Sequence, residues 1–212
     1  MAKIFVDYLG AIIGSVGKVS YYMRYSDNIA RRKGTERKAS DSPAAVEQRG
    51  KFGAIVKLST VLQPASALGF PQRKRGLSAT NAFHQVNKDI CTVEGNTITV
   101  DYEHLLCSNG SLITPNVTVN YAADTKKYLF EQEEMAEEVN CNADDLVYAV
   151  LLESKAGYCR LIELRKRGES GSTSAALPNT WNKEYVFVYV FAVSADKKKA
   201  SKSLYLTVGE GS

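Results

Sequence analysis

The sequence predicts an α+β protein that is mainly β, in which a hairpin and two helices precede a C-terminal antiparallel β-sandwich. Apolar residues recur at helical spacing in two stretches of the first half, and short segments of the second half alternate between apolar and polar residues. The charge changes as well: residues 1–90 hold 15 Lys and Arg against 6 Asp and Glu, whereas residues 91–212 hold 12 against 17. We therefore predict two domains, residues 1–92 and residues 93–212.

The first element to explain is "GSVGK", residues 14–18. A glycine-rich turn that ends in Gly-Lys suggests a phosphate-binding loop, but a nucleotide loop needs four residues between its glycines and a Ser or Thr after the lysine. Only two residues separate Gly14 from Gly17, and Val19 follows Lys18. The glycines are therefore predicted to be backbone joints that precede a strand.

A β-hairpin is predicted over residues 19–33, since apolar and polar residues alternate along "VSYYMRY". Its turn is placed at residues 26–28, Ser-Asp-Asn, because Asp and Asn tolerate the backbone angles of a tight reversal. The polar, basic segment that follows, up to Pro43, is predicted to be an exposed connection.

Two helices are predicted after this connection. The first begins at Ser42 and Pro43, where a hydroxyl can cap and proline is tolerated in the first turn, and it ends at Pro64. The second is capped by Ser78, and "GFPQRKRG" between the helices is an exposed basic loop. The predicted buried residues are Phe52, Ile55, Val56, Ser59 and Leu62 in the first helix and Ala82, Phe83, Val86 and Ile90 in the second.

The second half contains short strands separated by turn residues. The predicted strands are "NTITVDY", "NVTVNY", "LVYAVLLE", "YCRLIELRK", "EYVFVYVFAV" and "SLYLTV". Their spacing is typical of a sandwich of immunoglobulin or fibronectin type III kind. The run from Tyr185 to Val193 is apolar on both faces, which suits a central strand or a strand that another protein covers. The acidic run from Glu131 to Glu138 is predicted to be a solvated loop or short helix.

Reactive groups do not form a recognisable catalytic or metal-binding pattern. The four cysteines are far apart without a C-x-x-C pair, and His84 and His104 are the two histidines. We therefore expect no enzyme activity, no metal and no cofactor. We also expect no secretory leader and no membrane span, which predicts a location in the cytoplasm of the producing cell or in a virion.

The order of several motifs resembles a domain-of-unknown-function family that we associate with Bacteroidota and their phages. The motifs are "SPAAVEQRGKF", "VDYEHLLCSNGSL" and the ending "FAVSADKKKASKSLYL". The resemblance covers nearly the whole chain and implies a fold and a phage-related setting, but no catalytic residues. The turn at residues 26–28 departs from the Asn-Gly of that family.

These features predict a non-enzymatic structural protein of a phage or phage-like particle, which forms homo-oligomers through subunit contacts. The alternatives are a nucleic-acid-binding protein and a glycan- or host-binding sandwich. A basic surface in the first half could meet either an acidic protein or phosphates, with tyrosines available to stack on bases. Its candidate residues are Lys18, Tyr21, Tyr22, Arg24, Tyr25, Arg31, Arg32, Lys33, Arg37, Lys38, Arg73, Lys74 and Arg75.

Overall fold

A computed structural model describes residues 2–4, 11–24, 27–34, 40–95 and 97–210. The fold is mainly β, with 39% strand and 19% helix, as the sequence predicts. Contacts divide the chain into two compact units, Met1–Ser42 and Pro43–Ser212. This division differs from the predicted boundary after residue 92, because the helices share a core with the C-terminal strands.

The first unit contains a four-stranded antiparallel sheet with the strand order β1-β4-β3-β2. The strands are β1 Ala2–Ile4, β2 Gly14–Val16, β3 Val19–Arg24 and β4 Asp27–Arg32. Val16 pairs with Val19, so Gly17 and Lys18 form a two-residue turn. Gly17 has φ of 56°, which glycine adopts without strain and which such hairpin turns need. "GSVGK" is therefore an edge strand followed by a tight turn.

The predicted hairpin is present as β3 and β4, but part of its predicted turn is strand. Residues 25–26 lie outside the described residues. Asp27 and Asn28 belong to β4, and Asp27 pairs with Arg24. This register places Tyr22 opposite Ile29, an aromatic and β-branched pair of the kind that stabilises antiparallel strands.

The second unit begins with three helices among its described residues, one more than predicted. They are α1 Pro43–Val61, α2 Gln63–Gly69 and α3 Ala79–Val86. Pro64 does not end the helical region; it lies in the first turn of α2, where a missing N–H costs nothing. Ser78 caps α3 as predicted, since its Oγ accepts from the Asn81 N–H at 3.1 Å.

The buried stripe of the helices is confirmed only in part. Ile55 and Leu62 are buried, as are Ala82 and Phe83 of α3. Phe52, however, is 60% exposed, and its ring meets the edge of the His84 ring at a centroid distance of 5.6 Å. Val56 is also exposed, because the helix turns Leu58 toward the core, and Ser59 is buried as predicted.

The remaining strands form a two-stranded hairpin and two four-stranded sheets. The hairpin pairs β5 Cys91–Glu94 with β6 Thr97–Val100. The outer sheet has the order β11-β8-β7-β14 and the central sheet the order β10-β9-β12-β13. All pairs are antiparallel except β14 with β7. The strands are β7 Val117–Ala122, β8 Lys127–Gln132, β9 Leu146–Glu153, β10 Tyr158–Lys166, β11 Gly171–Ala176, β12 Val186–Val193, β13 Leu204–Leu206 and β14 Gly209–Glu210.

The central sheet is covered on both faces. Alternate residues of β9 and β12 pack against the outer sheet, namely Val147, Ala149, Leu151, Val186, Val188 and Val190. The intervening residues pack against the helices, namely Tyr148, Val150, Leu152, Tyr189, Phe191 and Val193. Since side chains alternate between the faces of a strand, β12 must be apolar at nearly every position. The prediction of a central strand is confirmed, and the chain's own helices provide the cover.

Candidate interaction surfaces

The described part of the first unit brings several predicted residues together at one end of its sheet. Ser20 pairs with Arg31, and Lys33 donates its N–H to the Lys18 carbonyl oxygen at 2.8 Å. This end of the sheet has a groove with a volume of about 520 Å³, and the residues that line it are Ser20, Tyr22, Arg31, Arg32, Lys33 and Gly34. We call this surface the hairpin groove; it unites an aromatic ring with cations that the sequence places on two different strands.

The other candidates of this unit do not join the groove. Tyr21 points to the opposite face of β3 from Tyr22, because successive side chains alternate. Arg24 lies opposite Asp27, at the far end of the hairpin. Tyr25, Arg37 and Lys38 lie outside the described residues.

The remaining predicted cations, Arg73, Lys74 and Arg75, lie in the second unit. Arg73 has a structural role: its Nε donates to the Leu77 carbonyl oxygen at 2.9 Å and its Nη1 to that of Phe70 at 2.7 Å. It therefore closes its own loop, while Lys74 and Arg75 are exposed.

A second basic surface, which sequence reasoning missed, is the connection between β12 and β13. This lysine loop, residues 194–203, contains four lysines and one Asp, and all four lysines are exposed. Its backbone is fixed, since Ser194 exchanges hydrogen bonds with Lys199 through both its backbone N–H and its Oγ, each at 2.9 Å. Asp196 accepts from the Ser194 hydroxyl and the Lys198 N–H, which lowers its pKa to about 2. The run "DKKKASK" was the signal available in the sequence.

An acidic loop connects β8 to β9. Residues 133–145 contain six Asp and Glu and no Lys or Arg, and all of these acids except Asp145 are exposed. Glu138 and Cys141 exchange backbone hydrogen bonds of 3.0 and 2.9 Å, which closes a tight turn. Val139, at the tip of this turn, is 85% exposed. The acidic loop therefore presents an aliphatic side chain among carboxylates.

The acidic loop is held from beneath by Arg167, which is 1% exposed. Its Nη2 donates to the Ile113 carbonyl oxygen at 2.7 Å, and its Nη1 lies 3.4 Å from Cys141 Sγ. Its Nε lies 3.3 Å from Asp145 Oδ2, close enough for an ion pair but not aligned for a hydrogen bond. Burial raises the pKa of Asp145, although the Asn142 N–H and Arg167 act in the opposite direction. The buried cation thus fixes the loop that carries the exposed acids.

The lysine loop and the acidic loop lie at the same end of the two packed sheets. One segment touches both: Leu112 donates its N–H to the Ala200 carbonyl oxygen at 2.9 Å, and Ile113 donates to that of Asn140 at 3.1 Å. Neighbouring chains in such pairings lie about 5 Å apart, so the backbones of the two loops are roughly 10 Å apart. This end of the unit, which we call the end face, therefore displays adjacent surfaces of opposite charge.

The histidines lie outside these surfaces, and Cys141, the cysteine of the acidic loop, is fully buried. His84 Nε2 is 3.0 Å from Ser59 Oγ, and exposed His104 Nδ1 is 2.8 Å from Asp101 Oδ2. The four cysteines are free thiols, and burial raises the pKa of Cys159 to about 12. Among the described residues no group of three or more His, Cys, Asp or Glu is arranged to hold a metal ion. Within the same part of the chain, no helix is long and apolar enough to cross a membrane.

Fold and surfaces together define a mainly β protein that exposes a basic groove, a lysine loop and an acidic loop. The chain belongs to DUF6266, a family of unknown function whose model matches residues 4–207. The predicted membership in a domain family of unknown function that spans nearly the whole chain is thereby confirmed. The association with Bacteroidota and phages stays a prediction. Neither the comparison with curated proteins nor that with solved structures gave a match.

Proposed function

We propose that this chain is a non-enzymatic assembly protein, two copies of which associate through the end face. The observation that supports this proposal is the juxtaposition of the acidic loop and the lysine loop on one rigid end of the second unit. A two-fold axis through such a surface places the lysine loop of each copy against the acidic loop of its partner. Both charge contacts are then complementary, which is the requirement for an isologous dimer.

Preorganisation favours this contact. Both loops are fixed by backbone hydrogen bonds within the monomer, so little conformational entropy is lost when they meet a partner. Val139 supplies an apolar contact between the charged groups. Because the loops are exposed, salt screens the attraction between them. The Debye length is about 8 Å at physiological ionic strength, and the attraction falls once this length is shorter than the distance between the charges. The dimer is therefore expected to weaken with salt.

Charge reversal tests the contact with matched variants. Glu134→Lys, Glu138→Lys and Asp144→Lys leave Glu133 and Glu137 as the exposed acids of the acidic loop, so this chain is basic in both loops. Lys197→Glu with Lys202→Glu leaves two lysines against three acids in the lysine loop, which gives a chain that is acidic in both. These positions are exposed, and they avoid Glu133 and Glu137, whose carboxylates accept hydrogen bonds within the loop region. Sedimentation equilibrium should show that each variant alone is monomeric. An equimolar mixture should dimerise, and so should a chain with all five changes, although more weakly than the native protein because its loops carry less charge.

Two results would contradict the proposal. A native chain that stays monomeric at low salt and high concentration does not assemble through this surface. Growth of both the native chain and the mixed variants beyond a dimer indicates a heterologous contact and excludes the two-fold arrangement.

We also propose that the two packed sheets are an immunoglobulin-like sandwich. If β7 to β13 are lettered A, B, C, C′, E, F and G, the central sheet has the order C′-C-F-G and the outer sheet contains A-B-E. This is the division of strands found in that class. The interior disulfide of antibody domains has no counterpart, since all four cysteines are free. An experimental structure in which β11 pairs with β10 and not with β8 would refute the assignment.

The particle setting is a narrower proposal, which rests on the resemblance of the motifs to phage-borne sequences. A structural protein of a virion should co-purify with particles at a fixed stoichiometry. Mass spectrometry of gradient-purified particles measures this directly, and a chain found only in the soluble fraction would contradict it.

A further inference from the structure

The hairpin groove offers a combination of groups that the proposed dimer does not use. Arg31, Arg32 and Lys33 are exposed and follow one another at the end of β4. Lys18, in the turn before β3, lies beside Lys33, because the Lys18 carbonyl oxygen accepts the Lys33 N–H. Cations on adjacent strands of a rigid hairpin form a fixed array of positive charge. Such an array attracts an extended anion more strongly than a single lysine does.

The aromatic ring distinguishes the groove from a plain basic surface. Tyr22 lines the same concave space as Arg31 and Lys33, with Ser20 between them. Tyr22 is half-buried, so part of its side chain is packed against the protein and part is open to solvent. A fixed ring beside cations suits a nucleotide, since every base has a face that can stack and every nucleotide has a phosphate.

We infer that the hairpin groove binds single-stranded nucleic acid, with Tyr22 stacking on a base and Arg31, Lys33 and Lys18 contacting phosphates. Among the described residues, no acidic side chain lines this groove, and its size allows only a short stretch of strand. In a duplex the bases are stacked on one another and their faces are unavailable to Tyr22. Binding should therefore favour single strands and show little sequence preference.

Fluorescence anisotropy of the full chain with a short labelled single-stranded DNA of mixed sequence tests the inference. With three phosphate contacts, the slope of log affinity against log salt should be near −2, since each contact contributes about −0.7 for single strands. Affinity should therefore fall roughly 20-fold between about 50 and 200 mM salt. Arg31→Ala with Lys33→Ala should remove most binding and reduce the slope by about 1.4.

Two pairs of variants separate stacking and specific charge from general effects. Tyr22→Phe keeps the ring and should bind like the native chain, whereas Tyr22→Leu keeps the bulk but should weaken binding at least about fivefold without changing the salt slope. Lys197→Ala with Lys202→Ala removes the same charge from the lysine loop and should change affinity less than about twofold. Circular dichroism of each variant verifies its fold.

Several outcomes would overturn the inference. One is that the full chain does not bind DNA at low salt. A second is that the lysine-loop control loses as much affinity as the variant with Arg31→Ala and Lys33→Ala, and a third is that Tyr22→Phe and Tyr22→Leu bind equally well. A fourth is that polyglutamate binds more tightly than DNA. The last result would identify an acidic protein as the partner. The inference is independent of the end-face dimer, because Arg31 and Lys33 lie in a different unit and dimerisation is measured on variants with an unchanged hairpin groove.

Discussion

Gly69 gives the sharpest test of how the second unit is packed. It is the last residue of α2, and a Cβ at this position would lie 2.5 Å from the Cys107 carbonyl oxygen and 2.7 Å from Ser108 Cβ. Real Cβ contacts are not that short, and the neighbours are backbone or a short side chain that is itself fixed. Ser108 Oγ donates to the carbonyl oxygens of Gly69 at 3.0 Å and Ser201 at 2.5 Å. Gly69→Ala must therefore push apart segments that the hydrogen bonds hold together.

The expected cost follows from these contacts. Overpacking of a core costs about 1–3 kcal/mol, and a weakened buried hydrogen bond adds about 1 kcal/mol. Gly69→Ala should thus lower the free energy of unfolding by about 2–4 kcal/mol. For a unit of this size, this corresponds to a fall in Tm of roughly 5–15 °C.

Gly53 provides a matched control, in which the same substitution is expected to raise the free energy of unfolding. It lies in the interior of α1, and a Cβ there would meet nothing within 4 Å. Because alanine loses less backbone entropy in a helix, Gly53→Ala should raise the free energy of unfolding by about 0.5–1 kcal/mol. Urea titrations measure both variants, and the m-value should stay constant. Equal stability of Gly69→Ala and the native chain, or destabilisation by Gly53→Ala, would refute this account of the packing.

Two further predictions concern buried polar groups. Arg167→Met leaves Asp145 without its buried counter-ion and should lower the free energy of unfolding by about 3–5 kcal/mol. Adding Asp145→Asn should restore a large part of this loss, as measured by thermal unfolding. No recovery would show that the ion pair does not stabilise the acidic loop. Burial lowers the pKa of His84. As the pH falls through the usual histidine pKa of about 6.5, the unfolded chain takes up a proton more readily than the folded chain, and stability falls as pH falls. Urea midpoints should show a shallower pH dependence for His84→Gln, and an unchanged slope would contradict the reasoning.

Strands with strong alternation could be predicted from the sequence, and those with weak side-chain signals could not. β9 and β10 match the predicted segments at both ends, because seven of the eight residues of β9 are apolar and the apolar residues of β10 are interspersed with charged ones. β11 is "GSTSAA", and its small residues have no strand preference of their own; pairing with β8 determines its structure. β8 ends at Gln132, directly before the acidic loop. Glu131 and Gln132 were therefore predicted to belong to the acidic run, and the strand was not predicted.

The surfaces were predictable as charges but not as arrangements. The sequence identified Arg31, Arg32 and Lys33 together with Tyr22, yet only the register of β3 and β4 shows that they line one groove. The end face depends on Leu112 and Ile113, which bring residues 140 and 200 together. Contacts between residues so distant in sequence leave no local pattern. The lysine loop and the acidic loop both belong to the half of the chain with a net negative charge, so charge composition averaged them and did not show that they meet at one end of one unit.

The shared core of helices and sheets makes a final prediction about the domain boundary. Removal of residues 1–92 would expose the face of β9 and β12 that the helices cover, including Tyr148, Tyr189 and Phe191. Six side chains at about 2 kcal/mol each amount to roughly 12 kcal/mol, which is comparable to the whole stability of a typical domain.

Residues 93–212 should accordingly be insoluble or molten, whereas residues 43–212, which form one compact unit, should unfold cooperatively with a Tm near that of the full chain. Calorimetry and dispersion of amide NMR signals distinguish these states. A well-folded 93–212 fragment would contradict the shared core and restore the boundary after residue 92. A molten 43–212 fragment would show that the first unit is needed for the second to fold.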